Sequence, residues 1–316
     1  MKKFFTLTLL TLLCVGGAEA QLLYRISGNG LEKESCIVGT HHMVSADYAN
    51  NIYGANLALE IVDMVCGELD MSDINSSENT QKLQAAMCLP DGKHISELLT
   101  EEQMATLNGY MNEVLGADFT NPFINRTMGN MRPSAIAQQL QLVVYIQIMP
   151  DFNPTALIDS YFQEKALKKG KPVMGLESID EQIAVLYGSA SIEKEIADLM
   201  RMAEDPQASL DAMVDLVIAY YSQDLEALSE CVMASMDAEE WDRLCVKRNR
   251  NWMEKMPSIM SEQSTLFVVG AAHLIGEDGV LALLQDAGYS VTAVEQTIEF
   301  KIEAPELLFF DPATEM

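Results

Sequence analysis

The sequence predicts an α/β fold: a mixed β-sheet core with strand–Gly-x-x-His–helix units at both ends and large helical insertions between them. Three observations lead to it. Two apolar runs, "CIVGTHH" near the start and "FVVGAAHLIGEDG" near the end, each read as a buried strand that stops at a glycine, with a histidine three residues on, His42 and His273. A third short run, "PVMG", leads into a helix signal in the middle of the chain. Between these runs lie long stretches of helix formers. At 316 residues, 49% hydrophobic and 21% charged, the chain has the composition of a folded protein with a sizeable core.

Taken in order, the first 20 residues combine two lysines, an apolar stretch too short to span a bilayer comfortably, and the small residues Ala18 and Ala20. They read as a signal peptide cut after Ala20, so the protein is expected to be exported, periplasmic or secreted. Cys14 would suit a lipoprotein, but Leu13 is bulkier than the residue that lipidation favours. Residues 21–316 are then an α/β domain with a helical insertion at about 71–170. No later run of about 20 apolar residues occurs, so no transmembrane segment is expected in the mature chain.

Residues 22–39 read as two short strands around a "SGNG" turn. "YANNIYGANLALEIVD" has helical spacing, and "MVCGELD" looks like a strand ending in acid, which sets Glu68 near a strand terminus. Residues 76–170 are mostly helical, with Thr100 or Ser134 able to begin helices, and His94 in "DGKHISELL" reads as a surface or capping residue. A strand at 172–176 follows, with Glu177 at its end and Ser178 as a helix cap. Helices continue over about 191–262 and include "VKRNRNWMEKM". The last unit is strand "STLFVVG", the His273 loop, helix "EDGVLALLQDAG" and strand "YSVTAVEQTIEF". The 20 methionines indicate adaptable core packing.

With 20 basic and 47 acidic residues the formal net charge is -27, which repels phosphate backbones, so nucleic acid is not an expected partner. The cysteines do not form a disulfide framework, because five remain after cleavage at irregular spacing. Cys36 and Cys66 read as buried thiols, and Cys231 with Cys245 is the best-placed pair for a bridge. No CxxC pair argues for zinc.

The chemistry gathers at strand ends. In α/β sheets, active groups sit at the carboxyl ends of strands, where loops combine access with a rigid base. His42, Glu68, Glu177 and His273 all fall at such ends. Two neutral imidazoles and a carboxylate can hold a divalent metal, so the candidate ligands are His42, His273 and Glu68. Glu177 is the spare carboxylate for proton transfer. The cationic run around Arg248 and Asn249 is either a helix face paired with acids or a site for a substrate carboxylate or an oxyanion. His41 reads as a neighbour in its turn and Glu60 as a solvated or paired acid. No GxSxG elbow, GxxxxGKS loop or HExxH helix is present.

In order, "IVGTHH", "VCGELDM", "VMGLESIDEQ", "KRNRNWMEKM" and "FVVGAAHLIGEDGVLALLQDAGYSV" resemble the TraB/GumN family, which includes the Tiki proteins. The resemblance implies a fold similar to the erythromycin-esterase and ChaN-like proteins, with both Gly-x-x-His loops facing one cleft. Tiki-like members imply a metal-dependent hydrolase cleaving peptide bonds in a peptide or protein substrate. The supporting ions would be manganese or cobalt, and a His/Glu site also accepts zinc or iron. The family's paired histidines fall on His42 and His273, its acidic strand end on Glu68, and its Arg-Asn helix on Arg248 and Asn249. ChaN-like relatives imply the alternative, a noncatalytic haem-, metal- or peptide-binding protein on the same scaffold. The oligomeric state is left open.

Overall fold

The computed structural model describes residues 21–74 and 76–295. The predicted signal peptide, and the end of the last predicted strand beyond residue 295, lie outside the described residues.

Apolar runs with Gly/Asn turns become β1 (Leu23–Gly28) and β2 (Ser35–Thr40), and the turn joining them holds Gly28, Asn29 and Gly30 at positive φ. The remaining strands are β3 (Met64–Gly67), β4 (Val173–Gly175), β5 (Thr265–Gly270) and β6 (Tyr289–Ala293). They form one mixed sheet in the order β4-β3-β5-β2-β1-β6. Strands β4, β3, β5 and β2 run parallel, while β1 is antiparallel to both β2 and β6.

Every residue of β2, β3 and β5 is buried, as continuous apolar runs require when both faces of a sheet are covered. Alternate side chains enter opposite cores: Val38, Val65, Leu266 and Val268 on one face, Ile37, Cys66, Phe267 and Val269 on the other. The central parallel strands therefore end together, in register, with Thr40 beside Gly270, and Gly67 beside both Val268 and Gly175. Four predicted site residues leave the sheet from this one edge.

Helices fill the intervals. Glu101–Leu115 starts at Thr100 with a reciprocal capping box, and His94 caps the short helix Ile95–Glu97 in the same manner. Ser134 does not cap. Pro133 takes the first position of Pro133–Ile148, where its missing N–H costs nothing, and the Ser134 hydroxyl donates to Glu195 at 2.9 Å instead. Those helices and Ile192–Glu204 share a separate core that includes Leu107, Met111, Ile136, Leu140 and Leu199. Glu60, on the exposed side of Ala55–Ile61, pairs with Lys169 at 2.7 Å. Among the described residues no helix is long and apolar enough to cross a membrane.

The expected Cys231–Cys245 bridge is absent: both thiols are free. Cys231 packs half-buried against the core on one face of the sheet. Cys245 is sealed near Arg248 and Glu68, and burial pushes its thiol up to about 12. Cys36 and Cys66 are buried thiols, likewise pushed up by burial, to about 11 and about 12.

Candidate functional site

The two Gly-x-x-His turns face each other because both glycines lack a side chain where the chains close. A Cβ on Gly39 would stand 2.8 Å from Leu274 Cδ1 and 3.0 Å from Ala271 Cβ, so the first turn could not seat against the second. A Cβ on Gly270 would point into the site itself, 3.2 Å from Glu68 Oε1, 3.6 Å from His273 Cδ2 and 3.8 Å from His42 Nε2. Gly270 marks the point where these three side chains converge. Its N–H also donates to Glu68 Oε1 at 2.7 Å, which ties the carboxylate to the end of β5.

His273 lies in a short 3-10 turn, Ala271–Leu274, rather than in an open loop, and is buried. Asn249 fixes its tautomer. The Asn249 amide nitrogen donates to the carbonyls of His273 at 3.3 Å and Asp278 at 2.8 Å, so its oxygen faces the ring and accepts from His273 Nδ1–H at 2.6 Å. The lone pair of His273 therefore sits on Nε2, which accepts from Arg248 Nη1 at 2.9 Å. Burial pushes His273 down to about 3, so the ring is neutral at physiological pH.

His42 has the same arrangement with a different partner. Its Nδ1–H donates to Asp159 Oδ2 at 3.1 Å, and the Thr40 hydroxyl donates to Asp159 Oδ1 at 2.5 Å. Asp159 raises the His42 pKa to about 9, against the opposing effect of burial. Yet 70% of the His42 side chain faces solvent, which screens that attraction, so the ring titrates under the control of Asp159 without contributing a large stability increment. Burial alone would raise Asp159, but the His42 ring and the Thr40 hydroxyl outweigh it and hold this carboxylate low. His41 is the turn neighbour, its ring centroid 5.4 Å from that of Tyr220, and burial lowers it to about 4.

The carboxylates converge on one arginine. Arg248 Nη2 donates to Glu68 Oε2 at 2.5 Å and to Glu177 Oε1 at 2.6 Å, while its Nε reaches Glu177 Oε2 at 3.1 Å. Its guanidinium carbon lies 4.9 Å from the centroid of the Trp252 ring. A π-helical stretch, Asp242–Val246, runs directly into the helix Lys247–Met253, whose buried residues are Arg248, Asn249 and Trp252. The cationic run thus divides: Arg248 turns inward, while Lys247 and Arg250 pair with Asp242 and Asp278 on the surface.

Burial would raise Glu68, but neighbouring charges and the Gly270 N–H lower it to about 2. Because His273 is neutral, the cations holding Glu68 ionised are Arg248 and protonated His42, and the two carboxylates raise the Arg248 pKa in spite of burial. Glu177 differs from the expected spare base. It accepts from Arg248 twice, from Gln182 Nε2 at 3.1 Å and from Trp252 Nε1 at 3.3 Å, so its oxygens are committed to holding the guanidinium.

A cavity of about 190 Å³ opens over this edge and is lined by His42, Glu68 and Asp159 with Leu69, Leu157 and Val268. A second cavity, about 380 Å³, lies beyond Leu69 and Ile74 and is rimmed by Asp70, Asp73, Glu181 and Lys255, with neither His42 nor His273 in its lining. We place the chemistry at the smaller one, which His42 and Glu68 line, with His273 buried behind Glu68. Among the described residues no group of three His, Cys, Asp or Glu side chains stands at metal-holding spacing. His273 Nε2 and Glu68 Oε1 are 3.8 Å apart, with Arg248 N–H groups bonded to both residues.

The structure brings His42, Glu68, Glu177, Arg248, Asn249 and His273 into one constellation. Sequence reasoning missed Asp159, which stands in the first turn of Ile158–Lys168 and looks like any helix-entry acid. The family model described as TraB/PrgY/gumN family matches residues 22–293. No curated protein and no solved structure matches the chain.

Proposed function

The chain belongs to the TraB/PrgY/gumN family, and from that membership and the site we propose an exported metal-dependent hydrolase that cleaves peptide bonds. One observation carries the reading. Two imidazoles from two matched turns each have Nδ1–H tied to a side-chain acceptor, Asp159 for His42 and Asn249 for His273, and so turn Nε2 toward Glu68, as a lone pair on His273 and, on His42, as a position that becomes one when its proton leaves. Acceptors behind the ring are the usual support of a histidine that ligates metal. The donor set fits a divalent cation, manganese or cobalt by family, provided that Arg248 yields its bonds to His273 and Glu68.

His42 and His273, through Nε2, and Glu68 would hold the ion. It would supply Lewis acidity, polarising a scissile carbonyl and acidifying water. The residues then divide the work. His42 enters as the neutral imidazole, releasing its Nε2 proton while Asp159 retains the Nδ1–H. Of the two carboxylates that line the cavity, Asp159 is committed to His42, and Glu68 accepts the proton of the attacking water. Glu177 anchors Arg248, and the guanidinium offers N–H groups to the oxyanion that develops on the carbonyl oxygen. Leu69, Leu157 and Val268 limit water around the reacting carbonyl.

The test is turnover of a peptide library with manganese or cobalt and again after chelation. Catalytic cleavage that stops on chelation and returns with metal is expected. Stoichiometric retention of haem or peptide, with no turnover of any library member, would replace hydrolysis by ligand binding.

A further inference from the structure

Arg248 holds a position that the hydrolase reading reserves for metal. Its Nη1 bonds the lone pair of His273, and its Nη2 bonds Glu68 at 2.5 Å. Both are candidate ligands, and each spends on the guanidinium an atom that a cation would need. The same Nη2 also reaches Glu177 at 2.6 Å, and Nε makes a further bond to that carboxylate. Glu177 makes no bond to either histidine and does not line the cavity at His42 and Glu68. It is a second anion that can retain the guanidinium when the first is taken.

We infer that Arg248 is the internal cation of the metal-free site, and that a divalent metal loads by displacing its Nη1 and Nη2 from His273 and Glu68 onto Glu177. The inference rests on the metal-dependent reading above.

Charge balance supports an exchange over a simple addition. Glu68 and Glu177 have side chains only 10% and 6% exposed, and two buried carboxylates without a cation would be strongly disfavoured. Arg248 supplies that cation by pairing with both carboxylates. A metal that arrived with both guanidinium bonds intact would face a buried positive charge at hydrogen-bond distance from two of its own ligands, which low-dielectric surroundings penalise heavily. Exchange frees the His273 and Glu68 atoms that the metal needs and leaves the guanidinium charge paired with Glu177, and the bond from Nη1 to the Leu244 carbonyl, 3.1 Å, gives the retreating group a further acceptor. Metal affinity is then the difference between ligation and the bonds that Arg248 gives up.

The discriminating variant is Arg248→Lys, which keeps the charge and loses the planar fork that reaches three partners at once. Manganese(II) alone is titrated calorimetrically into wild type and variant, and circular dichroism verifies that both are folded. Displacement predicts that Arg248→Lys binds manganese about tenfold tighter or more, since one or two charge-assisted hydrogen bonds no longer have to be broken. A cation that only repels metal through its charge predicts equal affinities, and a purely supporting role predicts weaker binding by the variant. Either result, with wild type binding, overturns the inference and leaves the metal reading standing. If neither protein binds manganese, the metal reading itself fails and the inference falls with it. If the variant is unfolded, wild type with isotope-labelled arginine decides: displacement requires the Arg248 side-chain NMR signals to move at stoichiometric zinc, and signals that stay in place while zinc binds refute it.

Discussion

An Arg248→Ala protein is expected to lose about 3–5 kcal/mol of stability at neutral pH and to regain part of it on acidification. Distance alone would not predict a loss of that size. Lys33 and Asp63 also pair at 2.7 Å, but 66% and 40% of those side chains are exposed, and such pairs contribute about 0–1 kcal/mol. Arg248 and its two carboxylates are 10% exposed or less, so the substitution strands two anions without water to solvate them. The pH dependence then inverts. In wild type the folded pKa of Glu68 is about 2, below its unfolded value, so its contribution is present at neutral pH and is lost as pH falls through the acid range toward about 2. Without Arg248, burial prevails at Glu68 and raises its carboxyl above the unfolded value. The folded state then binds the extra proton, and stability rises as pH falls through that raised value. Urea denaturation at pH 7 and pH 5 measures both effects. A loss below about 1 kcal/mol, the range of an ordinary surface change, or a loss that grows from pH 7 to pH 5, would show that Arg248 does not neutralise this pair.

The second large effect concerns Asp159, which lines the cavity and holds His42 through Nδ1. Asp159→Ala is expected to weaken manganese binding by about 10–100-fold, the usual cost of removing the acceptor behind a ligating histidine. The Thr40 hydroxyl would remain, but Nδ1 of His42 would lose the partner that sets its tautomer and orientation. Asp159→Asn restores an acceptor without the charge and should recover part of the loss. Manganese titrations of the three proteins separate these outcomes. Alanine binding as tightly as wild type would mean that His42 needs no such support.

Much of this was legible before any coordinates. The four central strand ends are marked by glycines and by the loss of apolar continuity, and parallel register then carries His42, Glu68, Glu177 and His273 to one edge. Local signals also fixed the caps at Thr100 and Ser178. Where they failed, a competing preference won: proline displaced Ser134 from the cap because it occupies the first helical turn better than any other residue. The Cys231–Cys245 pairing failed because sequence spacing says nothing about which packing group a thiol joins. Asp159 was invisible because its partner is 117 residues away and its own context is an ordinary acidic first turn. The role of Glu177 needed the helix Lys247–Met253 in place, since only the inward turn of Arg248 shows that this carboxylate is already committed. Side-chain networks between distant elements lie beyond periodicity and capping.

The most direct measurement is the metal content of the protein after loading with manganese and removal of free ion, beside its His42→Ala/His273→Ala variant, with both shown to be folded. A site built on the two matched turns predicts stoichiometric metal in the wild type and none above background in the variant. Equal metal in the two proteins would contradict it and remove these histidines from the chemistry.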